Sequence, residues 1–290
     1  MNAIEIRILS KSFRGLYAVD GLNMTVPVGA IYGFIGENGS GKSTTEKLIC
    51  GHLVADGGEI KLFGKDYTDP GVRVRVGALI ENAGCFPGSS VYHNLMMQAL
   101  NLNLPNANEE IHRVLSIVRM EEHANLKFKK CSIGMKQRVG IAMALLGEPA
   151  LLILDEPING LDADGMRLMR EILVDITKNV GCTVLISSHL LGELEKIATH
   201  YGIIRQGKMI MHTLRILSFL TSNTKTLFVV NCFNALFFSN IPDACFRFSL
   251  CCCACNILSD THQLAITLAG FVDLNGSNVN TGNNDTKSIL

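Results

Sequence analysis

A glycine-rich segment near the N-terminus has the residue types and the spacing of a phosphate-binding loop. It fits the pattern G-x-x-x-x-G-K-[ST], in which successive backbone N–H groups curl around a phosphate. The residues concerned are Gly36, Glu37, Asn38, Gly39, Ser40, Gly41, Lys42, Ser43 and Thr44. In this pattern the lysine adds a positive charge at the β and γ oxygens and the next hydroxyl is a ligand of Mg²⁺. We therefore predict that this segment binds a nucleotide, with Lys42 and Ser43 in those two roles.

Two acidic residues follow a strongly apolar segment, residues 151–154. Four consecutive aliphatic side chains predict a strand buried on both faces, and ligands of open α/β sheets bind where such strands end. At this place Asp155 can hold Mg²⁺, while Glu156 can orient and deprotonate a water molecule. The alternative role is to cap the following helix. The phosphate loop elsewhere in the chain favours the chemical role.

Two further side chains lie at the ends of predicted strands. His189 follows an aliphatic strand at residues 183–188, where an imidazole can donate a hydrogen bond to a γ-phosphate oxygen. A structural histidine is the alternative. Phe13 ends the first strand and can stack on a nucleotide base, and an ordinary core aromatic is equally consistent with its position.

The predicted elements place these residues correctly for nucleotide binding. A short apolar strand at residues 30–35 precedes the loop and a helix at residues 44–50 follows it, so a phosphate would lie at a helix N-terminus. Extended segments are predicted at residues 1–13, 18–28, 60–63 and 75–80.

The pattern changes to helical spacing between residues 83 and 147. Apolar residues recur there at intervals of three and four, which predicts helices at residues 91–102, 109–118 and 136–146. Pro87 and Pro105 interrupt this block, as proline does at turns and helix starts. We interpret it as a helical insertion.

Composition gives no indication of a nucleic-acid partner. The chain holds 26 Lys plus Arg and 26 Asp plus Glu, so no basic excess indicates a nucleic-acid partner. Hydrophobic residues make up 48% of the chain, enough for a sizeable core. No uninterrupted apolar segment is long enough for a transmembrane helix, and the N-terminus alternates like a strand rather than a signal peptide. We expect a cytoplasmic protein that reaches the membrane only through a partner.

The order of these motifs resembles that of the ATP-binding cassette (ABC) ATPases. The resemblance rests on the strand and phosphate loop, the helical insertion, residues 131–138, Asp155 with Glu156, residues 159–162 and His189. It covers residues 2 to about 211. It implies an α/β fold with a P-loop NTPase (RecA-like) core, an N-terminal antiparallel β subdomain and a helical insertion subdomain, followed here by an irregular C-terminal tail.

The resemblance also implies a site shared by two subunits. In such cassettes two chains enclose two ATP molecules, and Ser132 and Gly134 would contact the γ-phosphate held by the partner. The usual signature core is Leu-Ser-Gly-Gly-Gln, and Cys131, Ile133 and Met135 depart from it here. Phosphate recognition depends most on the serine and the glycine backbone, so the assignment is kept.

Other roles come from the same resemblance. Glu81 takes the place of the usual glutamine of the coupling loop, where a carboxylate can still meet Mg²⁺ or the attacking water. Phe13 matches the base-stacking aromatic, and Asp162 would contact the opposite subunit. The implied cofactors are ATP and Mg²⁺. The implied magnesium ligands are Ser43, Asp155 and Glu81, and the implied catalytic residues are Glu156, His189 and Lys42.

Within this family, the form of the signature and residues 79–82 look like the bacterial bacitracin-resistance and lantibiotic-immunity exporters. The implied function is ATP hydrolysis by a homodimer at the inner face of the cell membrane, coupled to export through a separate permease. A soluble mechanical ATPase of DNA repair or translation would usually carry two cassettes or a long coiled coil, and neither is present. A non-hydrolysing nucleotide-binding module is disfavoured by Glu156.

The family pattern stops near Met211. Residues 212–290 contain no glutamate and few other charged residues, while cysteine, phenylalanine and asparagine cluster without sustained periodicity. Adjacent cysteines at positions 251–253 do not suit a tetrahedral zinc site, and the apolar runs are too short to span a bilayer. We interpret residues 212–290 as a frameshifted tail that was never selected to fold, with a genuine appended domain as the alternative.

Overall fold

The computed structural model describes residues 1–214. Nearly all of the tail interpreted above as frameshifted therefore lies outside the described residues. Within residues 1–214, no helix combines the length and apolar character needed to cross a membrane.

Strands and helices alternate along the described chain. The strands are β1 (Asn2–Phe13), β2 (Leu16–Pro27), β3 (Ile31–Ile35), β4 (Gly57–Leu62), β5 (Lys65–Asp66), β6 (Val76–Leu79), β7 (Leu151–Asp155), β8 (Thr183–Ser188), β9 (His200–Arg205) and β10 (Lys208–Leu214). The α-helices are α1 (Lys42–Ile49), α2 (Pro70–Arg73), α3 (Val91–Asn101), α4 (Ala107–Ile117), α5 (Ile133–Leu145), α6 (Ala163–Asn179) and α7 (Leu191–Leu194).

A six-stranded sheet in the order β10-β9-β3-β8-β7-β6 forms the centre of the fold. All its neighbouring strands are parallel except the β9–β10 pair. Every residue of β3 is buried, as expected for an apolar strand with neighbours on both sides. This sheet is the P-loop NTPase core that the sequence predicted.

The register of this sheet brings three strand ends together. Ile35 of β3 pairs with Ser188 of β8, and Asp155 of β7 pairs with Ser187 of the same strand β8. The phosphate loop follows Ile35, the acidic pair begins at Asp155, and His189 follows Ser188. Because the carboxyl ends of parallel strands lie at one edge of a sheet, these functional segments are neighbours in space.

A four-stranded antiparallel sheet in the order β2-β1-β4-β5 forms the predicted N-terminal β subdomain. Ile4, Ile6 and Leu9 of β1 are buried and join the same apolar cluster as Phe34 of β3 and Leu48 of α1. The base-stacking candidate Phe13 ends β1 and is therefore fixed by this sheet.

The predicted helical insertion contains α3, α4 and α5. Helix α5 begins a turn earlier than its apolar spacing predicted, because Ser132 accepts a hydrogen bond from the Met135 amide and caps the helix. The subdomain limits at residues 83 and 147 remain a prediction.

Strand β10 runs three residues past Met211, where the sequence analysis ended the family pattern. His212 pairs with Gly202 of β9, its Nε2 lies 2.9 Å from the Thr25 carbonyl oxygen, and its ring stacks on Tyr32. The ordered strand thus includes residues that the sequence analysis assigned to the tail.

Candidate functional site

The phosphate loop connects the end of β3 to the start of α1. Lys42, the first residue of α1, is buried, and its Nζ donates to the carbonyl oxygens of Gly36 at 2.7 Å and Glu37 at 3.1 Å. The loop therefore curls around its own lysine. The amide groups at the start of α1 have no partner within the helix, which makes this end of the helix an anion site.

Glycine is required at two points of this loop. Gly41 has φ of +109°, and a Cβ there would lie 2.3 Å from the Ala18 carbonyl oxygen. A Cβ on Gly36 would lie 2.4 Å from the hydroxyl of Ser40. That hydroxyl is itself buried and has no hydrogen-bond partner among the described residues. The loop is a close-packed cradle with an unsatisfied polar group, as a phosphate site requires.

The acidic pair at the end of β7 is fixed by Ser187 of β8. The Ser187 hydroxyl donates to Asp155 Oδ1 at 2.7 Å and accepts from the Glu156 amide at 3.1 Å. Sequence reasoning missed Ser187, because a serine inside an aliphatic strand carries no local signal of this role. Glu156 has φ of +49°, a left-handed conformation that non-glycine residues rarely adopt and that occurs at functional sites.

The Glu156 carboxylate lies between two of the predicted catalytic residues. Its Oε1 is 3.5 Å from Lys42 Nζ, and its Oε2 is 2.9 Å from His189 Nδ1. The carboxylate accepts from Nδ1, so a second hydrogen bond from Nε2 to a phosphate oxygen requires the doubly protonated ring. Oε1 has no hydrogen-bond partner among residues 1–214. This oxygen is buried beside Lys42, and it can take a proton from a water molecule once nucleotide draws the ammonium group to phosphate.

A third carboxylate, Glu46, lies beneath this group and was not identified from the sequence. It is fully buried in α1, and neither of its oxygens has a hydrogen-bond partner in the described part of the chain. Burial, reinforced by the charge of Asp155, raises the pKa of Glu46 well above its ordinary value. The sequence signal was an acidic residue at an inward-facing helix position.

The donor set suits Mg²⁺. Asp155 and Ser43 would supply oxygen ligands from the end of β7 and the start of α1, and Mg²⁺ usually binds one or two carboxylates and retains several waters. The buried, unpartnered oxygens of Glu46 are consistent with a nearby cation. No cluster of three or more His, Cys, Asp or Glu side chains arranged for a metal occurs within residues 1–214, so waters or substrate oxygens would complete the shell.

Phe13 is half exposed at the end of β1, as a base platform requires. Lys11 Nζ lies 5.6 Å from the centroid of its ring. Lys11 in turn pairs with Asp56 at 2.7 Å, and Asp56 also accepts from the Ser12 amide and hydroxyl. The hydrogen bond from Lys11 is the largest cause, and together with those from Ser12 it lowers the pKa of Asp56 to about 2.

Three other predicted residues lie away from this group. Ser132 is the exposed N-cap of α5, and Gly134 is in the first turn of the same helix, close to Leu161. Glu81 is exposed after β6, and its Oε1 lies 2.5 Å from Lys47 Nζ of α1. No hydrogen bond within residues 1–214 joins Ser132, Gly134 or Glu81 to the phosphate loop. Their predicted roles toward phosphate and Mg²⁺ therefore remain predictions.

Comparison with known proteins identifies similar chains. A family model described as ABC transporter (ABC_tran) matches residues 19–159. The bacitracin transport ATP-binding protein BcrA of Bacillus licheniformis is 39% identical over 209 residues, covering 71% of this chain and 68% of BcrA. The lantibiotic transport ATP-binding protein SrtF of Streptococcus pyogenes is 37% identical over 208 residues, covering 72% of this chain and 89% of SrtF.

Solved structures show the same fold. CbiO1 from Clostridium perfringens, described as part of the ABC transporter complex cbiONQ, has a TM-score of 0.70 and 28% identity over 79% of this chain and 94% of its own. The ATP-binding cassette MJ0796, solved as a dimer in a post-hydrolysis state with ADP and Pi, has a TM-score of 0.67 at 20% identity, over 73% of this chain and 98% of its own. The architecture described above is that of these cassettes.

Proposed function

The chain belongs to the ATP-binding subunits of ABC transporters and is an ATPase, and we propose that it drives export of a peptide antibiotic through a separate permease. The ATPase function expected from the sequence is confirmed at this level. BcrA and SrtF are named for bacitracin and lantibiotic transport, and their similarity to this chain extends over 209 and 208 residues. This similarity is the observation that supports the substrate class.

The site geometry supports hydrolysis rather than nucleotide binding alone. The Glu156 amide donates to the Ser187 hydroxyl, its Oε2 accepts from His189, and its Oε1 faces the ammonium group of the phosphate-loop lysine. In the proposed reaction this oxygen accepts a proton from water while the water oxygen attacks the γ-phosphorus, and ADP is the leaving group. When bound, Mg²⁺ neutralises charge on the phosphate oxygens.

Lys42 and the loop amides hold the β and γ phosphates during this step. Their contribution is positioning and charge, because phosphoryl transfer needs little covalent chemistry from the protein. Phe13 stacks on the adenine. Ser132 and Gly134 of a second copy complete the site, which makes a homodimer the active unit.

A groove beside β6 suits the permease. It has a volume of about 250 Å³ and is lined by residues of β6, α3 and α5, among them Leu79, Gln98 and Met143. The exposed apolar side chains Val74 and Leu102 are at its edge. An amphipathic helix of the permease would cover these side chains at the inner face of the membrane.

The test is resistance in a bacitracin-sensitive bacterium that expresses this chain together with a candidate permease. We expect the pair to raise the inhibitory concentration of bacitracin or a lantibiotic. The Glu156→Gln variant, expressed at the same level, should give no protection. Full protection by this variant would contradict transport driven by hydrolysis. The rate of phosphate release should change when the chain is reconstituted with the permease. An unchanged rate would contradict the proposed partnership between the chain and the permease.

A further inference from the structure

Glu46 is a buried acidic residue to which the ATPase mechanism assigns no role. It occupies the second turn of α1, three residues after Ser43 and four after Lys42. Residues at these spacings lie on one face of a helix, so the carboxyl group shares the face that carries the phosphate-loop lysine and the magnesium hydroxyl. This face of α1 packs against β7, which ends at Asp155.

The surroundings of Glu46 contain more negative than positive charge. Asp155 and Lys42 both act electrostatically on its carboxyl group. Lys42 is shared with Glu156 at 3.5 Å and with two carbonyl oxygens of the loop. One ammonium group therefore serves both Glu46 and Glu156, while Asp155 adds a further negative charge. Burying carboxylates without opposite charge is costly, so this arrangement favours an additional cation.

Ser187 and Asp155 both lie close enough to act on the Glu46 carboxyl group, but neither reaches it with hydrogen-bond geometry. The neighbouring hydroxyl of Ser187 donates to Asp155 Oδ1. Both oxygens of Glu46 remain without a partner among the described residues, although the side chain is 0% exposed. An aliphatic side chain would satisfy this position at lower cost, as Leu48 and Ile49 do on the same helix.

We propose that Glu46 and Asp155, with the hydroxyl of Ser43, form a divalent-cation site that is occupied before ATP binds. Two carboxylates, one hydroxyl and waters match the ligands that Mg²⁺ prefers. The chain would then hold its metal in the nucleotide-free state, and ATP would bind to a site that is already partly neutralised. The proposal concerns cation binding alone and does not depend on transport.

The test is a titration of the full-length, metal-stripped protein with Mn²⁺ in the absence of nucleotide, with free Mn²⁺ measured by electron paramagnetic resonance. We expect one saturable site per chain. Glu46→Gln should bind Mn²⁺ about 10- to 100-fold more weakly, the range found when a supporting group of a metal site is lost. Glu122→Gln, which removes the same charge from an exposed position in the helical insertion, should bind like the parent.

A second measurement keeps the proposal falsifiable if Glu46→Gln folds poorly. MgCl₂ should raise the Tm of the nucleotide-free parent above its value in NaCl of equal ionic strength. Glu46→Asp, which keeps the charge, should retain a smaller increase. Three results would each overturn the proposal. The parent could show no saturable Mn²⁺ site, the parent and Glu46→Gln could bind Mn²⁺ with equal affinity, or Mg²⁺ could leave the Tm of the parent unchanged.

Discussion

At the scale of single residues, Lys42 and Glu156 act at different stages of the reaction. Lys42 contacts phosphate in the ground state, whereas Glu156 matters chiefly when water attacks. Lys42→Ala should therefore weaken ATP binding roughly 10- to 100-fold, the worth of a charge-assisted hydrogen bond. Glu156→Gln should preserve ATP affinity and lower turnover by roughly 10² to 10⁴. Fluorescent-nucleotide binding and phosphate release measure the two effects separately.

Glu156→Gln should also accumulate as an ATP-bound dimer on size exclusion, because binding continues without hydrolysis. A Glu156→Gln variant that hydrolyses ATP at the parent rate would show that another group is the base.

The residues that sequence reasoning found and those it missed differ in how they act. Lys42, Asp155 and Glu156 belong to local patterns, so spacing along the chain was enough to identify them. Ser187 acts through contacts with residues about thirty positions earlier in the chain. Glu46 is defined by burial against a distant strand. Ser187 has no local signature, and the only local sign of Glu46 is an acidic residue at an inward-facing helix position, because both roles arise from tertiary packing.

At the scale of elements, Glu81 connects the helix of the phosphate loop to the proposed permease groove. Its ion pair with Lys47 joins the end of β6 to the last turn of α1, and an exposed pair contributes at most about 1 kcal/mol to stability. Glu81→Gln should therefore leave the ATPase rate of the isolated chain within a few-fold. It should change the stimulation by reconstituted permease, because the link between nucleotide and groove is lost.

Lys47→Gln is the matched variant, since it breaks the same pair from the other side. Both variants should alter stimulation in the same direction. If Glu81→Gln instead loses nearly all ATPase activity, equally with and without the permease, Glu81 belongs among the catalytic groups.

Element prediction succeeded where apolar spacing was regular. The strands β1, β3, β7 and β8 were predicted within one or two residues, as was α3. Helix α6, by contrast, was not assigned, although its buried residues follow helical spacing. Strands β9 and β10 were also not assigned. Their place in the central sheet follows from the pairing of β9 with β3 and of β10 with β9, which local pattern does not encode.

At the scale of the whole molecule, the proposed homodimer predicts complementation between inactive chains. Each site would combine the phosphate loop of one chain with the Ser132 segment of the other. Lys42→Ala and Ser132→Arg should each be inactive alone. Mixed and co-assembled, they should recover part of the parent phosphate release, because one site of the mixed dimer then has both segments intact.

The control mixture is Lys42→Ala with Glu156→Gln. Both changes affect the loop side of a site, so each site of the mixed dimer contains one defect and activity should stay low. Recovery in neither mixture would argue against a shared site. Recovery of phosphate release in both mixtures would show that hydrolysis in each subunit does not depend on Ser132 of its partner.

The position of β3 at the middle of the sheet also governs when the ATP site can form during synthesis of the chain. Gly33 lies opposite Ile186 of β8 and Tyr201 of β9, so the strand before the phosphate loop is made long before either neighbour. Such non-local parallel pairing forms slowly. We therefore expect a nascent chain to complete its ATP site only after β8 and β9 have left the ribosome. ATP in the cell then stabilises the newly completed cassette, since a ligand that binds only the native state favours folding.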